Sequence, residues 1–261
     1  MKFITSLALP LAMAAASFSV STQAAEISTA SAKPKSILIV LSNHDKLGDT
    51  GRQTGWHLSE ATHVYYPLLE AGYKVQFASP SGGVAPVDES SVHLDDAMNK
   101  KFVEDKALFE QTKNTMPLSD VNPDDYQIVH FVGGWGAMWD FPGNKDVNRI
   151  AKAIYESGGI VSALCHGPAS LVDVKLSNGE YLIKGKNITG FSNVEEEDVK
   201  ATHIMPFLLE TKLRERGAIM HIAEKWTAHS VIDGRLVTGQ NPQSGHAIAE
   251  NILKVAKEIK L

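Results

Sequence analysis

The sequence has little of three things: cysteine, basic charge and long apolar runs. Its 261 residues include one cysteine, which excludes an intramolecular disulfide and any cysteine-rich zinc or iron–sulfur site. Its 25 lysines and arginines are outnumbered by 30 aspartates and glutamates. No basic surplus therefore exists for a phosphate backbone, and we expect no nucleic-acid partner. The 43% hydrophobic and 21% charged residues exclude a disordered, collagenous or coiled-coil protein and leave an α/β or α+β domain.

The first 25 residues have the pattern of a secretory signal. Lys2 supplies a positive charge, an apolar stretch continues to Ala16, and small residues close the segment, which is the order of a cleaved export signal. The alternative is an uncleaved membrane anchor, but the apolar stretch is shorter than the ~20 residues that a spanning helix needs. We predict that residues 1–25 are removed and that residues 26–35 form a tether. The mature protein is then periplasmic or secreted, without membrane contact.

Strand and helix patterns alternate along residues 36–261, which we predict to form one domain. A continuous apolar run with branched residues predicts a strand buried on both faces at residues 36–42. Further strands are predicted at residues 73–79, 125–132 and 160–164. Periodic stretches with capping signals predict helices at residues 58–71, 95–114, 205–216 and 243–260, and one from Val147 towards Gly158. This alternation predicts an α/β fold with a mostly parallel sheet and helices on both faces, a flavodoxin-like sandwich.

The single cysteine follows the strand predicted at residues 160–164. The segment ALCHGP (163–168) predicts a tight turn and a helix that begins immediately after Cys165, the arrangement of a nucleophile elbow. N–H groups at a helix start stabilise a thiolate, so we predict for Cys165 a pKa of roughly 5–6. The alternative is a small buried hydrophobic residue, since free cysteine is among the most buried residue types. His166 adds little to this choice, because adjacent residues on a helix do not face each other.

Five segments, taken in order, give the sequence a resemblance to a known family. The elbow resembles that of the ThiJ/PfpI superfamily, whose fold is shared with class I glutamine amidotransferases. Four further segments resemble the branch that contains glyoxalase III-type enzymes and stress chaperones. They are TGWHLSE (54–60), DYQ (125–127), GKNITGF (185–191) and DGRLVTGQNP (233–242). The likeness extends over about residues 36–258.

The resemblance implies roles for four side chains. Cys165 corresponds to the nucleophile, His166 to its acid–base partner, and Glu60 to a carboxyl that hydrogen-bonds the thiol. Glu196 corresponds to the acid that orients the histidine, with either neighbouring glutamate as the alternative. Without the resemblance, the acidic run at 195–197 is typical of a solvated face, and Glu60 of a carboxylate in the first turn of a helix.

The resemblance also implies an oxyanion hole at Gly134, Trp135 and His166. A glycine-rich loop, GGWG (133–136), follows a predicted strand, and in the family a backbone N–H of this loop acts with that of His166. Without the resemblance, the loop is an ordinary glycine turn. Many members have histidine where Trp135 stands, which leaves the substrate contacts open but not the backbone donors.

The implied function is a cofactor-independent conversion of methylglyoxal, a small dicarbonyl, to lactate without glutathione. The Cys165 thiolate adds to the aldehyde, a base moves a proton between the two carbons, and a thioester is hydrolysed. The base is Glu60 or His166. Related proteins are also described as protein deglycases, and homodimers are common in the family. Glycated proteins and a second copy of the chain are therefore expected partners.

Two other functions stay open at this point. Some members are described as holdase chaperones or cysteine redox sensors, and an accessible thiol of low pKa outside the cytosol oxidises readily. The third candidate is a cysteine peptidase or an amidotransferase-like hydrolase. Glutaminases of this fold have a downstream His-x-Glu, and no histidine here is followed by glutamate two residues later.

We expect no metal and no cofactor. The ten histidines are scattered and form no HExxH motif, and no glycine-rich nucleotide motif follows a strand. His57 and Glu60 are three residues apart and could face each other, but one such pair is weak evidence for a metal. The sequence identifies no partner for six other histidines: His44, His63, His130, His203, His221 and His246.

Overall fold

The computed structural model describes residues 2–3 and 35–261 of the chain. The predicted signal segment and tether lie outside these residues, apart from Lys35 and two residues near the start. All the elements given below lie in one unit, Lys33–Leu261. None of the helices in the described residues is both long and apolar enough to cross a membrane.

Parallel strands dominate the β-structure. The strands are β1 (Ser36–Val40), β2 (Lys74–Ser79), β3 (Met116–Pro117), β4 (Ile128–Phe131), β5 (Ile160–Leu164), β6 (Asn187–Ile188), β7 (Ile219–Met220), β8 (Ser230–Asp233) and β9 (Leu236–Gly239). Seven of them form one sheet in the order β3-β2-β1-β4-β5-β9-β8, and β6 pairs with β7. Only the hairpin of β8 and β9 is antiparallel among the described strands. The predicted mostly parallel sheet and the four predicted strands are confirmed, although β2 is fully buried only from Phe77 to Ser79.

Helices flank this sheet, as predicted. They are α1 (Leu58–Glu70), α2 (Ala97–Glu104), α3 (Lys106–Gln111), α4 (Ala137–Asp140), α5 (Lys145–Glu156), α6 (Asn193–Asp198), α7 (Leu209–Glu215) and α8 (Gly245–Glu258). α5 packs against β4 and β5, whereas α8 packs against β5, β9 and α1. The flavodoxin-like α/β class is therefore confirmed.

The helix predicted over residues 95–114 is two helices, α2 and α3. Asp105 separates them: its backbone N–H bonds to the carbonyl of Lys101 at the end of α2, and its carboxylate accepts from the N–H of Leu108 in α3. A capping carboxylate satisfies the free N–H groups of a new helix and so favours a restart at this position. Of the three apolar residues in this stretch, Phe102 and Leu108 are buried, and Phe109 is partly buried against the core.

Two prolines have different effects on the predicted helices. The helix predicted over 205–216 begins only at Leu209, because Pro206 disfavours the helical conformation of the residue before it. α1 instead continues through Pro67 and ends at Glu70.

The carboxyl ends of β1, β4 and β5 meet at one edge of the sheet, because these strands are parallel neighbours. α1 follows β1 through residues 41–57, the glycine loop follows β4, and Cys165 follows β5 directly. In open parallel sheets this edge is where ligands bind. The topology thus brings Glu60, the glycine loop and the cysteine to one place.

Candidate active site

Cys165 occupies a sharp turn between β5 and a 3₁₀ helix, Gly167–Leu171. Its φ of 59° lies in the left-handed region, which is strained for a residue with a side chain. Its N–H donates to the carbonyl of Gly239 (3.0 Å), and its carbonyl accepts from the N–H of Phe191 (2.8 Å). The predicted strand and tight turn are confirmed, but the predicted helix after Cys165 is only a short 3₁₀ helix.

Cys165 and His166 face each other, so the expectation drawn from regular helices was wrong. The distance from Sγ to His166 Nδ1 is 3.4 Å. The left-handed φ of Cys165 turns the chain between the two residues, and the spacing rule for a regular helix does not hold there. A Cβ at Gly167 would lie 2.2 Å from the carbonyl oxygen of Phe131. Only glycine therefore allows the turn to lie this close to β4.

The other ring nitrogen of His166 bonds to Glu196. The distance from Nε2 to Glu196 Oε2 is 2.8 Å, and both side chains are almost fully buried. The second carboxylate oxygen, Oε1, accepts from the indole N–H of Trp135 at 3.3 Å. Thiol, imidazole and carboxylate therefore form one hydrogen-bonded chain in which Nδ1 points to sulfur.

The two glutamates beside Glu196 are engaged differently. Glu195 is buried and accepts from the side-chain amide of Asn241 and the backbone N–H of Trp226. Glu197 is exposed. Of the three acids that the sequence left open, Glu196 is the one in contact with His166.

Glu60 lies on the opposite side of the thiol. Its side chain is fully buried, and Oε2 accepts from the backbone N–H of Gly133 at 2.8 Å. Oε1 makes no hydrogen bond within the described residues and lies 4.0 Å from Nδ1 of His57. Burial raises the pKa of Glu60 to about 8, because a charged carboxylate loses its hydration here. The carboxyl therefore holds a proton at neutral pH.

The pKa predicted for Cys165 had the wrong direction. Burial, and after it the charge of Glu60, raises the pKa of the thiol well above its ordinary value. The prediction relied on the dipole of an α-helix, and the 3₁₀ helix of five residues supplies too few aligned peptides to offset this desolvation. The resting protein thus holds a thiol, whose proton must leave as sulfur attacks.

The predicted oxyanion-hole residues line the same space. Gly134 lines the cavity beside Cys165. The backbone N–H groups of Trp135 and His166 donate to no acceptor within residues 35–261. A Cβ at Gly134 would lie 2.4 Å from the carbonyl oxygen of Gly55, so this close approach depends on glycine. Unused donors beside a nucleophile can stabilise a developing oxyanion.

A cavity of about 150 Å³ opens onto the sulfur. Its walls combine aromatic, aliphatic and polar residues. They are His57, Asp88, Ser90, Gly134, Trp135, Cys165, His166, Phe191, Val199, Trp226 and Pro242. Sequence reasoning considered His57 only as a metal ligand. Burial lowers its pKa to about 4, so it faces the cavity as a neutral imidazole. The sequence signal for a role of His57 was its spacing of three residues from Glu60, which places the two side chains on one face of a helical turn.

The side chains that lie close enough together to share a metal ion are outside this cavity in the described part of the chain. The described residues contain one group of three side chains whose ligand atoms lie close enough to share an ion. It consists of His63, Asp96 and His246, none of which lines the cavity. The expectation of a metal-free catalytic site is therefore compatible with the donor set, since Cys165 and its partners supply acid–base chemistry without an ion.

Comparison with known families decides the relationship. A model of the DJ-1/PfpI family matches residues 53–255, which include the elbow, the glycine loop and both glutamates. The chain belongs to the DJ-1/PfpI family. The resemblance to ThiJ/PfpI proteins seen in the sequence is thus confirmed.

Two curated DJ-1/PfpI relatives are similar along nearly their whole length. Glyoxalase 3 of Candida albicans is 37% identical over 235 residues, which cover 84% of this chain and 97% of the relative. The glutathione-independent glyoxalase HSP31 of Saccharomyces cerevisiae is 35% identical over 247 residues, covering 86% and 99%. Both relatives bear the name of a glyoxalase.

Solved DJ-1/PfpI structures agree in fold. The crystal structure of glyoxalase III from Candida albicans superposes with a TM-score of 0.79 at 34% identity, covering 85% of this chain and 97% of that one. Rapid Encystment Protein 24 kDa of Francisella tularensis gives 0.82 at 40% identity, covering 85% and 98%. Drosophila melanogaster DJ-1beta, at 19% identity and a TM-score of 0.56, shares the fold alone.

Proposed function

We propose that this chain is a glutathione-independent glyoxalase, which converts methylglyoxal and similar small dicarbonyls to hydroxy acids at Cys165. The observation that carries the proposal is the pair of acids on either side of one buried thiol. Glu196 holds His166 against sulfur, and Glu60 keeps a proton beside it. The glyoxalase names of the relatives support the same reaction.

The first step forms a carbon–sulfur bond. Sγ of Cys165 attacks the aldehyde carbon while Nδ1 of His166, 3.4 Å away, accepts the thiol proton. Glu196 stabilises the imidazolium through Nε2. The carbonyl oxygen becomes an oxyanion, which the free N–H groups of Trp135 and His166 receive. The imidazolium then returns its proton to this oxygen and leaves a neutral hemithioacetal.

The second step moves a proton from the first carbon to the second. Glu60 is the base in this proposal: its ionised form removes the proton from the carbon bonded to sulfur and returns it to the neighbouring carbon. The hydroxyl proton of the hemithioacetal passes to the neighbouring oxygen, so that the first carbon becomes a carbonyl and the second carries the hydroxyl group. A carboxyl with a pKa of about 8 exchanges protons efficiently near neutral pH. His57 lies 4.0 Å from Glu60 as a neutral ring, so it adds no positive charge that would lower the pKa of the carboxyl.

The product of this transfer is a thioester of the hydroxy acid on Cys165. Water, activated by His166, attacks the thioester carbon, and the sulfur leaves with a proton from the imidazolium. The net reaction adds one water to methylglyoxal and gives lactate. Neither an external oxidant nor glutathione enters, because one carbon is oxidised while its neighbour is reduced.

The size of the cavity favours this reaction over peptide hydrolysis. A volume of about 150 Å³ is below the roughly 300–1,000 Å³ of pockets for drug-sized ligands and suits a three-carbon dicarbonyl. Redox sensing through Cys165 has little support in this geometry. The thiol is buried and its pKa is raised, whereas sensor thiols are exposed and readily ionised.

The test is turnover of methylglyoxal in the absence of glutathione, followed by NMR detection of lactate. We expect the wild type to form lactate and the Cys165→Ala and Cys165→Ser proteins to form none. Equal lactate formation by either variant would overturn the proposal. A holdase function predicts the opposite dependence, because suppression of client aggregation should survive Cys165→Ala.

We propose further that the protein acts outside the cytoplasm as a homodimer and also accepts glycated proteins as substrates. The charge, apolar and small-residue pattern of residues 1–25 supports export. N-terminal sequencing of native protein should begin at Ala25 or Glu26, and retention of Met1 would contradict it. Sedimentation at micromolar concentration tests the dimer, and release of lactate from a glycated peptide tests the deglycase activity.

A further inference from the structure

Three side chains from distant parts of the sequence meet on one side of the helical layer. His63 belongs to α1, Asp96 precedes the first residue of α2, and His246 lies at the start of α8. One nitrogen or oxygen of each residue lies within 4.8 Å of those of the other two. Two imidazoles and one carboxylate are a donor set that binds late transition-metal ions.

Asp96 is positioned so that one of its oxygens is available. Oδ1 accepts from the backbone N–H groups of Met98 and Asn99, both at 2.9 Å, which caps α2. Oδ2 lies 2.9 Å from Nε2 of His63. No lysine or arginine forms an ion pair with Asp96 among the described residues, so its charge faces only imidazole.

His246 has no other structural partner that accounts for its position. Its ring stacks on that of His63, with centroids 4.1 Å apart and planes 19° apart. Neither of its ring nitrogens hydrogen-bonds to any residue from 35 to 261. Gly245 makes the contact possible, because a Cβ there would lie 2.8 Å from Nδ1 of His63. The exposed ring of His246 can thus rotate without losing a hydrogen bond.

We propose that His63, Asp96 and His246 form a binding site for one divalent late transition-metal ion, with zinc as the reference ion. Tetrahedral zinc with bonds of about 2.0–2.1 Å keeps its ligand atoms roughly 3.3 Å apart. The 2.9 Å contact of His63 and Asp96 opens slightly on binding, and the exposed His246 ring moves inwards. Water takes the fourth position, since Asp96 and His246 both reach the surface.

Such an ion joins three helices without entering the catalytic cavity. α1 also carries Glu60, one turn before His63, and α8 follows Pro242, which lines the cavity. Metal binding therefore fixes the two helices whose neighbouring residues shape the active site. We assign the site to stabilisation of this arrangement, and the chemistry at Cys165 proceeds without it.

The test uses protein without an affinity tag and with Cys165→Ala, so that neither tag nor thiol binds the ion. Calorimetric titration with zinc chloride should show one ion per chain, and Co²⁺ should develop the visible absorption of a low-symmetry, four-coordinate site. Asp96→Asn keeps the helix cap, since asparagine caps as well as aspartate, and removes only the carboxylate. His246→Gln changes an exposed ring.

We expect each of these two changes to weaken zinc binding by at least ~100-fold, since one of three ligands is lost. Far-UV circular dichroism checks that both proteins fold. His203→Gln, which removes an exposed histidine outside the cluster, should bind zinc as the parent does, and Mg²⁺ should produce no saturable heat. Failure of the parent to bind zinc would overturn the site. So would unchanged affinity in both Asp96→Asn and His246→Gln.

Discussion

The two sides of Cys165 present the same chemical group in different surroundings. On the side of α6, both oxygens of Glu196 accept hydrogen bonds from ring N–H groups, one of them from His166. On the side of α1, Glu60 has a single backbone donor, and its other oxygen makes no hydrogen bond within the described residues. Both carboxyls are buried, so the number of partners distinguishes them.

Because of this difference, the two carboxyls have different roles: Glu196 orients a side chain, and Glu60 transfers a proton. Glu196, with a donor on each oxygen, is held in place against the imidazole of His166. A buried carboxyl with one donor has its pKa raised to about 8, by burial, and exchanges a proton near neutral pH. Glu196 therefore orients His166 on one side of the thiol, and Glu60 can transfer a proton on the other.

The largest effect should follow Glu196→Gln. An amide at this position can donate to Nε2 of His166 and so place the ring proton on Nδ1, which then cannot accept the thiol proton. In serine proteases, the equivalent loss of tautomer control costs about 10⁴-fold in kcat. We expect a similar loss in lactate formation with little change in KM. A kcat within tenfold of wild type would show that Glu196 does not control the tautomer.

Glu60→Gln should reduce kcat by at least ~100-fold, the lower end of what general acid–base groups contribute. The amide fills the same volume and accepts from Gly133, so the fold persists, which thermal unfolding checks. The thiol pKa should fall in this variant, because the charge of Glu60 contributes to raising it. Absorbance of the thiolate against pH measures that shift. Wild-type turnover would move the base to His166.

The free energy of unfolding should also distinguish Glu60 from its amide. Burial raises the pKa of Glu60 to about 8 in the folded protein, against an ordinary value of 4.5 in the unfolded chain. Between these values the folded state binds more protons, so wild-type stability falls as pH rises, by up to about 1.4 kcal/mol per unit.

Glu60→Gln lacks this contribution and should gain stability relative to wild type from pH 5 to pH 8. His57, with its pKa lowered to about 4, acts in the opposite direction between pH 4 and 6.5, but it is present in both proteins and cancels. Urea unfolding of the two proteins at several pH values gives the difference. A difference that does not change with pH would mean that Glu60 is already ionised at pH 5.

The smallest effect should come from Trp135→His, which introduces the residue common in the family. The indole bond to Glu196 is long, at 3.3 Å, and a single neutral donor contributes roughly 0.5–1.5 kcal/mol. We expect KM to change by about 2- to 10-fold and kcat to stay near wild type. A loss of kcat as large as that of Glu60→Gln would place Trp135 in the chemistry.

Local patterns in the sequence predicted the sheet, the helices and the position of the cysteine. Strands buried on both faces and helices with clear caps can be predicted from a short stretch of sequence, because the pattern lies within the element itself. The break at Asp105 was missed because its cap acts over only three residues within a longer charged pattern. The late start of α7, at Leu209, was missed because it follows from a single residue, Pro206.

The site was predictable only as far as the family motif extends. The contact of Cys165 with His166 depends on the left-handed φ of Cys165. The spacing rules for regular helices do not predict this contact. The direction of the thiol pKa depends on burial, which a sequence shows poorly. His63, Asp96 and His246 meet only through the packing of α1 against α2 and α8, and no local pattern relates them.

Native mass spectrometry of Glu60→Gln mixed with methylglyoxal tests the central claim most directly. If Cys165 forms the hemithioacetal and Glu60 moves the next proton, this protein should accumulate an adduct of one methylglyoxal and release almost no lactate. The double variant Cys165→Ala/Glu60→Gln should lack the adduct. An adduct of equal abundance in the double variant, or lactate at the wild-type rate from Glu60→Gln, would contradict the mechanism.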